Sequence, residues 1–331
     1  MEHLVRGFQD MRAVLEKGQG YRKGADAQGG AGLSGTWFQA APKAAPEGPQ
    51  EDFASGWQRY CARNPRLRDP KALPLLVRRH GVPDELRCEV WSHCLGLSGG
   101  GGKQAEDEGE ELQSTLLDVI EADVARTFPN HKEFQESGGP ENLRAVLIKL
   151  ARLDQDLGYC QSMNFIAANF LLVLGNPDSA LLALRQLILK LQTRQWYTDG
   201  MRQLRADTAV LEEMLRERLP AVHLVLTQHR FDFLFVTSKW FLCLFAATLA
   251  EEVLRRVWDV LLVDGIEAVF RVSLSLFALQ EEAILRVKSQ DDLIHMMQEW
   301  QPDCSGEALI RNAYSPNLLQ MGRRELDQRR R

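Results

Sequence analysis

What most constrains this chain is the period of its apolar residues. From Val82 onward they recur every three or four positions, segment after segment. Leu112, Leu116, Ile120 and Val124 form one such stripe, and Met163, Ile166, Phe170 and Leu174 form another. Leu204, Thr208, Leu211 and Leu215 give a heptad-like seam; Val253, Val257 and Leu261, then Val269, Val272, Leu276 and Leu279, carry the pattern on. Residues at such spacings share one face of an α-helix, whereas a half-buried strand alternates. Only the segment Phe231–Val236 alternates even in part, and it is too short to seed a sheet. The expected fold class is all-α and multi-helix.

Breakers stand where such helices need ends. Val82-Pro83-Asp84-Glu85 opens one: proline suits the first turn, and acids there oppose the positive helix end. Phe128-Pro129, Gly158, Gly175-Asn176-Pro177 and Asp264-Gly265 close others. Ser238 reads as an N-cap ahead of Trp240, and Glu251-Glu252 as the opening of the next helix. Residues 1–50 carry one short helical spacing (Leu4, Phe8, Met11, Leu15) and then a Gly-, Ala- and Pro-rich run. Such a run buries too little to offset the entropy of ordering it. The reading is therefore a flexible N-terminal segment at 1–50 and a helical domain at 73–300. A disordered Gly/acidic insertion lies at about 98–111, and a solvated tail at 301–331 ends in Arg329-Arg330-Arg331.

Composition narrows the function classes. At 45% hydrophobic and 26% charged, the chain can support a sizeable core. A net charge of −5 and a pI near 5.9 argue against a nucleic-acid footprint, which wants a basic domain. The six cysteines form no CxxC, and Cys88, His93 and Cys94 lack a second ligand pair at a fitting spacing, so no metal site is expected. Met1–Asp10 has no apolar core of a leader, and the apolar run Trp240–Ala250 is far too short to span a bilayer. These features point to a cytoplasmic chain.

Two polar segments interrupt the apolar pattern. Ile120-Glu-Ala-Asp123-Val-Ala-Arg126-Thr127 offers an arginine where a helix is about to stop. Gly158-Tyr159-Cys160-Gln161-Ser162-Met163-Asn164 offers a glutamine where a helix is about to start. A placed guanidinium neutralises charge on a transferred phosphoryl group, and a placed carboxamide orients an attacking water. Asp123, one turn before Arg126, can hold the guanidinium as an i,i+3 pair. Tyr159 reads as packing support and Asn164 as a supporting hydrogen-bonder, while Trp91, Trp240 and Trp258 read as core.

In these residues the chain resembles the TBC domain of Rab GTPase-activating proteins, over roughly residues 73–300. Ile120, Asp123, Arg126 and Thr127 fit its IxxDxxRT motif, and Tyr159-Cys160-Gln161 fits its YxQ motif. Gly81-Val82-Pro83 with Val90-Trp91, the stretch Trp240–Phe245, and Arg256-Val257-Trp258-Asp259 through Gly265 match further landmarks in order. The resemblance implies an activator that stimulates GTP hydrolysis by a GTP-bound Rab-type small GTPase, in vesicle trafficking. It implies that Arg126 and Gln161 are catalytic residues supplied in trans, an arginine finger and a glutamine finger. It also implies that the chain needs no cofactor of its own, since GTP and Mg2+ arrive with the GTPase, and that any contact with endomembranes is peripheral, through that partner. The sequence departs from the family at Ser162, where the motif usually continues with glycine. That departure motivates the alternative of a non-catalytic Rab-binding adaptor or scaffold.

Overall fold

The computed structural model describes residues 53–64, 67, 69–97, 112–298, 304–316, 318 and 323–330. The expected flexible segment at 1–50, the insertion at 98–111 and Trp300, the expected end of the helical domain, lie outside the described residues. The chain divides into two units, 1–69 and 70–331. In the first, helix α1 (Phe53–Arg63) carries Trp57 and Tyr60, whose rings meet edge to face at 5.9 Å.

The second unit is all-helical, with no strand among the described residues. It begins with α2 (Ala72–His80), α3 (Asp84–Cys94), α4 (Ser114–Arg126), the short α5 (Lys132–Glu136), α6 (Gly139–Leu153), α7 (Met163–Leu174) and α8 (Pro177–Leu191). Then come the one-turn α9 (Arg194–Tyr197), α10 (Arg202–Arg218), α11 (Pro220–Gln228), α12 (Leu234–Leu242), α13 (Glu251–Asp264) and α14 (Ile266–Leu279). It closes with α15 (Glu281–Leu285), α16 (Gln290–Gln298), α17 (Gly306–Ala313) and α18 (Arg323–Arg329).

The ends follow the breakers. At α8, the Asn176 side chain accepts from the Ser179 N–H at 3.0 Å, with Pro177 in the first turn. At α7, Gly175 takes the left-handed conformation (φ 67°) that ends the helix. α13 and α14 are buried over most of their surface: Val253, Leu254, Val257, Trp258, Val260 and Leu261 of α13 are all in the core. A helix buried over most of its surface belongs at the centre. α2, α3, α14 and α17 pack directly on α13. Trp91 of α3, Phe170 of α7 and Trp258 of α13 form an aromatic centre, with ring centroids 5.0–6.2 Å apart.

That centre fixes α7, and α7 packs on α6, which packs on α4. The buried Asp259 carboxylate holds the turn before α3: it accepts from the Val82 N–H at 2.9 Å, Trp91 Nε1 at 2.8 Å and Arg87 Nε at 3.1 Å. Burial pushes the Asp259 carboxyl up against the pull of Arg87 and the other donors.

Two elements differ from the sequence reading. Ser238 is not an N-cap: α12 starts four residues earlier, at Leu234, and the chain after Leu242 runs through turns. Two consecutive residues in that stretch, Leu244 and Phe245, have positive φ, which no helix can contain. Nor are the last residues simply a solvated tail. α17 packs on α13 and α14 beyond the expected boundary near Trp300, and Arg330 is buried against Asp207.

Candidate functional site

α4 ends at Arg126, and its last turn divides by burial. Asp123 is 2% exposed, whereas the Arg126 side chain is 46% exposed, so the carboxylate faces inward and the guanidinium outward. Their side chains pair at 2.5 Å between Arg126 Nη2 and Asp123 Oδ1, the expected i,i+3 contact. Thr127 is fully buried and donates from Oγ1 to the Asp123 carbonyl at 2.6 Å, satisfying a carbonyl that the helix end leaves free. Phe128 then turns the chain away with φ 46°. Its ring meets Phe134 and Phe165, each at 5.9 Å.

The glutamine segment approaches from the end of α6. Asp154 accepts from the Leu157 N–H at 3.1 Å and pairs with Arg194, whose Nη2 donates to Oδ1 at 2.7 Å. Those pairs hold the Asp154 carboxyl below the usual range, chiefly through Arg194. Tyr159 and Cys160 are buried, Gln161 is half-buried, and Ser162 leads into α7.

One network joins the two segments. The Tyr159 hydroxyl donates to Asp123 Oδ2, on the carboxylate that also holds Arg126. Asn164 Nδ2 donates to Thr127 Oγ1 at 2.7 Å, and Asn164 Oδ1 accepts the Ser162 N–H at 3.0 Å. Tyr159 and Asn164, which bracket Gln161, thus both bind the last turn of the helix that carries Arg126. The structure joins Asp123, Arg126, Tyr159 and Asn164 in one network, with Gln161 half-buried on the segment between Tyr159 and Asn164. Burial pushes the Asp123 carboxyl up, opposed by the Tyr159 hydroxyl and by Arg126. The Tyr159 hydroxyl is pushed well up by burial and by the neighbouring Asp123, so it stays a proton donor.

Ser162 lies in the left-handed region, at φ 98° and ψ −28°. Sequence reasoning gave Arg194 and Asp154 no part in the site. The Asp154 pairing with the Leu157 N–H is a local turn signal that was available; the approach of Arg194, 40 positions from Asp154, leaves no trace in spacing. Among the described residues, no three His, Cys, Asp or Glu side chains converge as metal ligands would.

Comparison with known proteins adds three findings. A family model described as the Rab-GTPase-TBC domain matches residues 84–285. The chain is 36% identical over 232 residues to TBC1 domain family member 2A of Bos taurus, covering 68% of this chain but 25% of that protein. It is 31% identical over 230 residues to growth hormone-regulated TBC protein 1 of Xenopus laevis, covering 67% of each. The chain thus spans about a quarter of the length of the first relative and two thirds of the second. Among solved structures, the Chlamydomonas flagellar RabGAP TBC domain superposes with a TM-score of 0.71 at 26% identity, covering 80% of this chain and 92% of that one. The Ypt/Rab-GAP domain of Gyp1p shares the fold, with a TM-score of 0.64 at 16% identity over 78% of this chain and 97% of that one.

Proposed function

This chain belongs to the Rab-GTPase-TBC domain family, and from that premise we propose that it stimulates GTP hydrolysis by a GTP-bound Rab-type small GTPase. In this reading Arg126 enters the partner's nucleotide site and neutralises charge between the β- and γ-phosphates. Gln161 supplies the amide that orients the attacking water. GTP and Mg2+ stay with the partner, and the chain contributes positioning and charge. The observation that carries the reading is the buried network from Arg126 through Asp123 to Tyr159, and from Thr127 through Asn164 to Ser162. It ties the exposed guanidinium and the glutamine segment to one rigid support, as two side chains acting on one phosphate require.

A fixed guanidinium in a site with little water contributes about 10³ to 10⁵ in rate, roughly 4–7 kcal/mol. Lysine carries the charge but lacks the planar fork that reaches two oxygens. No described helix is long and apolar enough to cross a membrane. The chain in this reading acts from the cytoplasm and reaches endomembranes peripherally, through its partner, in vesicle trafficking.

Single-turnover phosphate release from a panel of GTP-loaded Rabs tests this. The wild-type chain is expected to accelerate at least one Rab. Arg126→Ala and Arg126→Lys are expected to lose about 10³-fold or more of the stimulation with the fold intact, and Gln161→Ala to be severely impaired. An unchanged rate in Arg126→Ala would remove the mechanism. The left-handed Ser162 favours a second reading, a Rab-binding module without activation. Tight binding of a GTP-loaded Rab with no acceleration of any Rab would select it.

A further inference from the structure

The chain that leaves Arg126 is tied to the central helix α13 by one side chain that uses both of its ring nitrogens. His131 caps the short α5: its Nδ1 accepts the Phe134 N–H at 3.2 Å. Its Nε2 lies 2.9 Å from Glu251 Oε2, in the first turn of α13 and 120 positions away. An imidazole that accepts at Nδ1 carries its hydrogen on Nε2, so the cap selects the tautomer and makes Nε2 the donor to Glu251. Glu251 is anchored in turn by Arg255, one helical turn on, which donates to its other oxygen. His131 also reaches back toward the arginine. Its N–H donates to the Phe128 carbonyl at 3.1 Å, and the two rings lie 6.1 Å apart. Phe128 has a φ of 46°, and the Thr127 N–H just before it closes the last turn of α4 on the Val124 carbonyl at 3.1 Å. A residue in that left-handed region persists only where its surroundings over-determine it. Tyr159 and Asn164 hold the end of α4 from the glutamine segment, whereas His131 holds the chain that leaves it.

We propose that His131 is a positioning residue for Arg126: an imidazole brace, with its hydrogen on Nε2, between the chain leaving α4 and Glu251 of α13. The proposal rests on the reading of Arg126 given above. The cap at Nδ1 shapes α5 and selects the tautomer; the contact at Nε2 fixes the turn behind the guanidinium to the core.

Two replacements separate the ring's two contacts. His131→Asn presents an oxygen where Nδ1 stood and keeps the cap of α5, but it does not reach Glu251. His131→Gln presents a terminal amide where Nε2 stood, keeping a donor for Glu251 and giving up the cap. His131→Asn is expected to slow stimulated hydrolysis by about tenfold or more, within the roughly hundredfold cost of misplacing a reacting group by about 1 Å. Its affinity for the GTP-loaded Rab should not change. His131→Gln should keep most of the rate, although its denaturant midpoint falls below that of His131→Asn. A merely structural role predicts the reverse order of rates, because asparagine is the better N-cap. At the other end of the brace, Glu251→Ala should lose as much rate as His131→Asn. Glu251→Gln keeps an acceptor and should lose little.

Amide hydrogen exchange at Thr127 in the isolated chain gives a second readout that needs no partner. Exchange should rise with His131→Asn and with Glu251→Ala, and not with His131→Gln or Glu251→Gln. Rates that follow the cap rather than the Glu251 contact, or Thr127 exchange indifferent to all four variants, would overturn the brace. The expected exchange pattern without stimulation of any Rab would uphold the brace and overturn the catalytic reading instead.

Discussion

At Asp123, burial and pairing pull in opposite directions. Burial raises its carboxyl above the ordinary value, although Tyr159 and Arg126 both favour the ionised form. The folded chain therefore binds this proton more readily than the unfolded chain. The Asp123 contribution to stability is greatest at low pH and is lost as pH rises from the ordinary carboxylate value through the raised one. Asp154 and Glu121, held low by Arg194 and Arg144, have the opposite sign. Their contribution is present above the ordinary value and is lost as pH falls through the lowered one. Asp123→Asn should remove the first slope and leave the second, which denaturant unfolding at a series of pH values in the acidic range can separate. A wild-type-minus-variant difference that is flat across that range would contradict the burial account. The same variant keeps an acceptor for Tyr159 but no charge for Arg126. Its stimulated rate is expected to fall by up to about a hundredfold through misplacement of the guanidinium. Asp123 and Arg126 were legible as a pair from their spacing alone, because one helical turn makes them neighbours. The torsion of Ser162 was legible only as a question, since serine fits both a cap and a turn.

The helices themselves read directly from the sequence because each buries one face. The stripes Leu112 to Val124 and Met163 to Leu174 mark α4 and α7 to within two residues. The exception is α12. Trp240, Phe241 and Leu242 are apolar on every side, so periodicity cannot find their boundary, and the tight turn at Leu244-Phe245 has no glycine to announce it. How α4 and α7 meet is also silent in the sequence, since hydrogen bonds across 36 and 37 positions obey no local rule. Asn164 carries that junction with both ends of its amide. Asn164→Ala leaves the buried Ser162 N–H without a partner and takes a donor from Thr127. The expected cost is about 1–3 kcal/mol, read as a lower denaturant midpoint at an unchanged slope. An unchanged midpoint would show that the junction holds without it.

Across the whole second unit, long-range ion pairs close the fold where helix packing alone does not. Arg330 donates from Nε and Nη2 to the two oxygens of Asp207, each at 2.9 Å, and Trp196 Nε1 donates to the same carboxylate at 2.6 Å. Asp207 is fully buried and Arg330 is 9% exposed. A run of C-terminal arginines looks solvated in a sequence because its acidic partner lies 123 positions away. Arg330→Met leaves the Asp207 charge buried without its counter-ion, a loss of about 3 kcal/mol or more. In a unit of this size that is a fall on the order of 10 °C in Tm by calorimetry. Adding Asp207→Asn should recover part of it, and a Tm unmoved by Arg330→Met would mean that the pair contributes nothing. Family membership was legible because its motifs are short and local, and Asp123, Tyr159 and Asn164 were legible as supports, while the hydrogen bonds that join the two segments were not. The most direct measurement is capture of a Rab loaded with GDP and aluminium fluoride, which mimics the transferred phosphoryl group. The wild-type chain is expected to form a stable complex with Arg126 and Gln161 both at the nucleotide, and Arg126→Ala to form none. Equal capture by Arg126→Ala, or a complex in which the two side chains point away from the phosphates, would contradict the account.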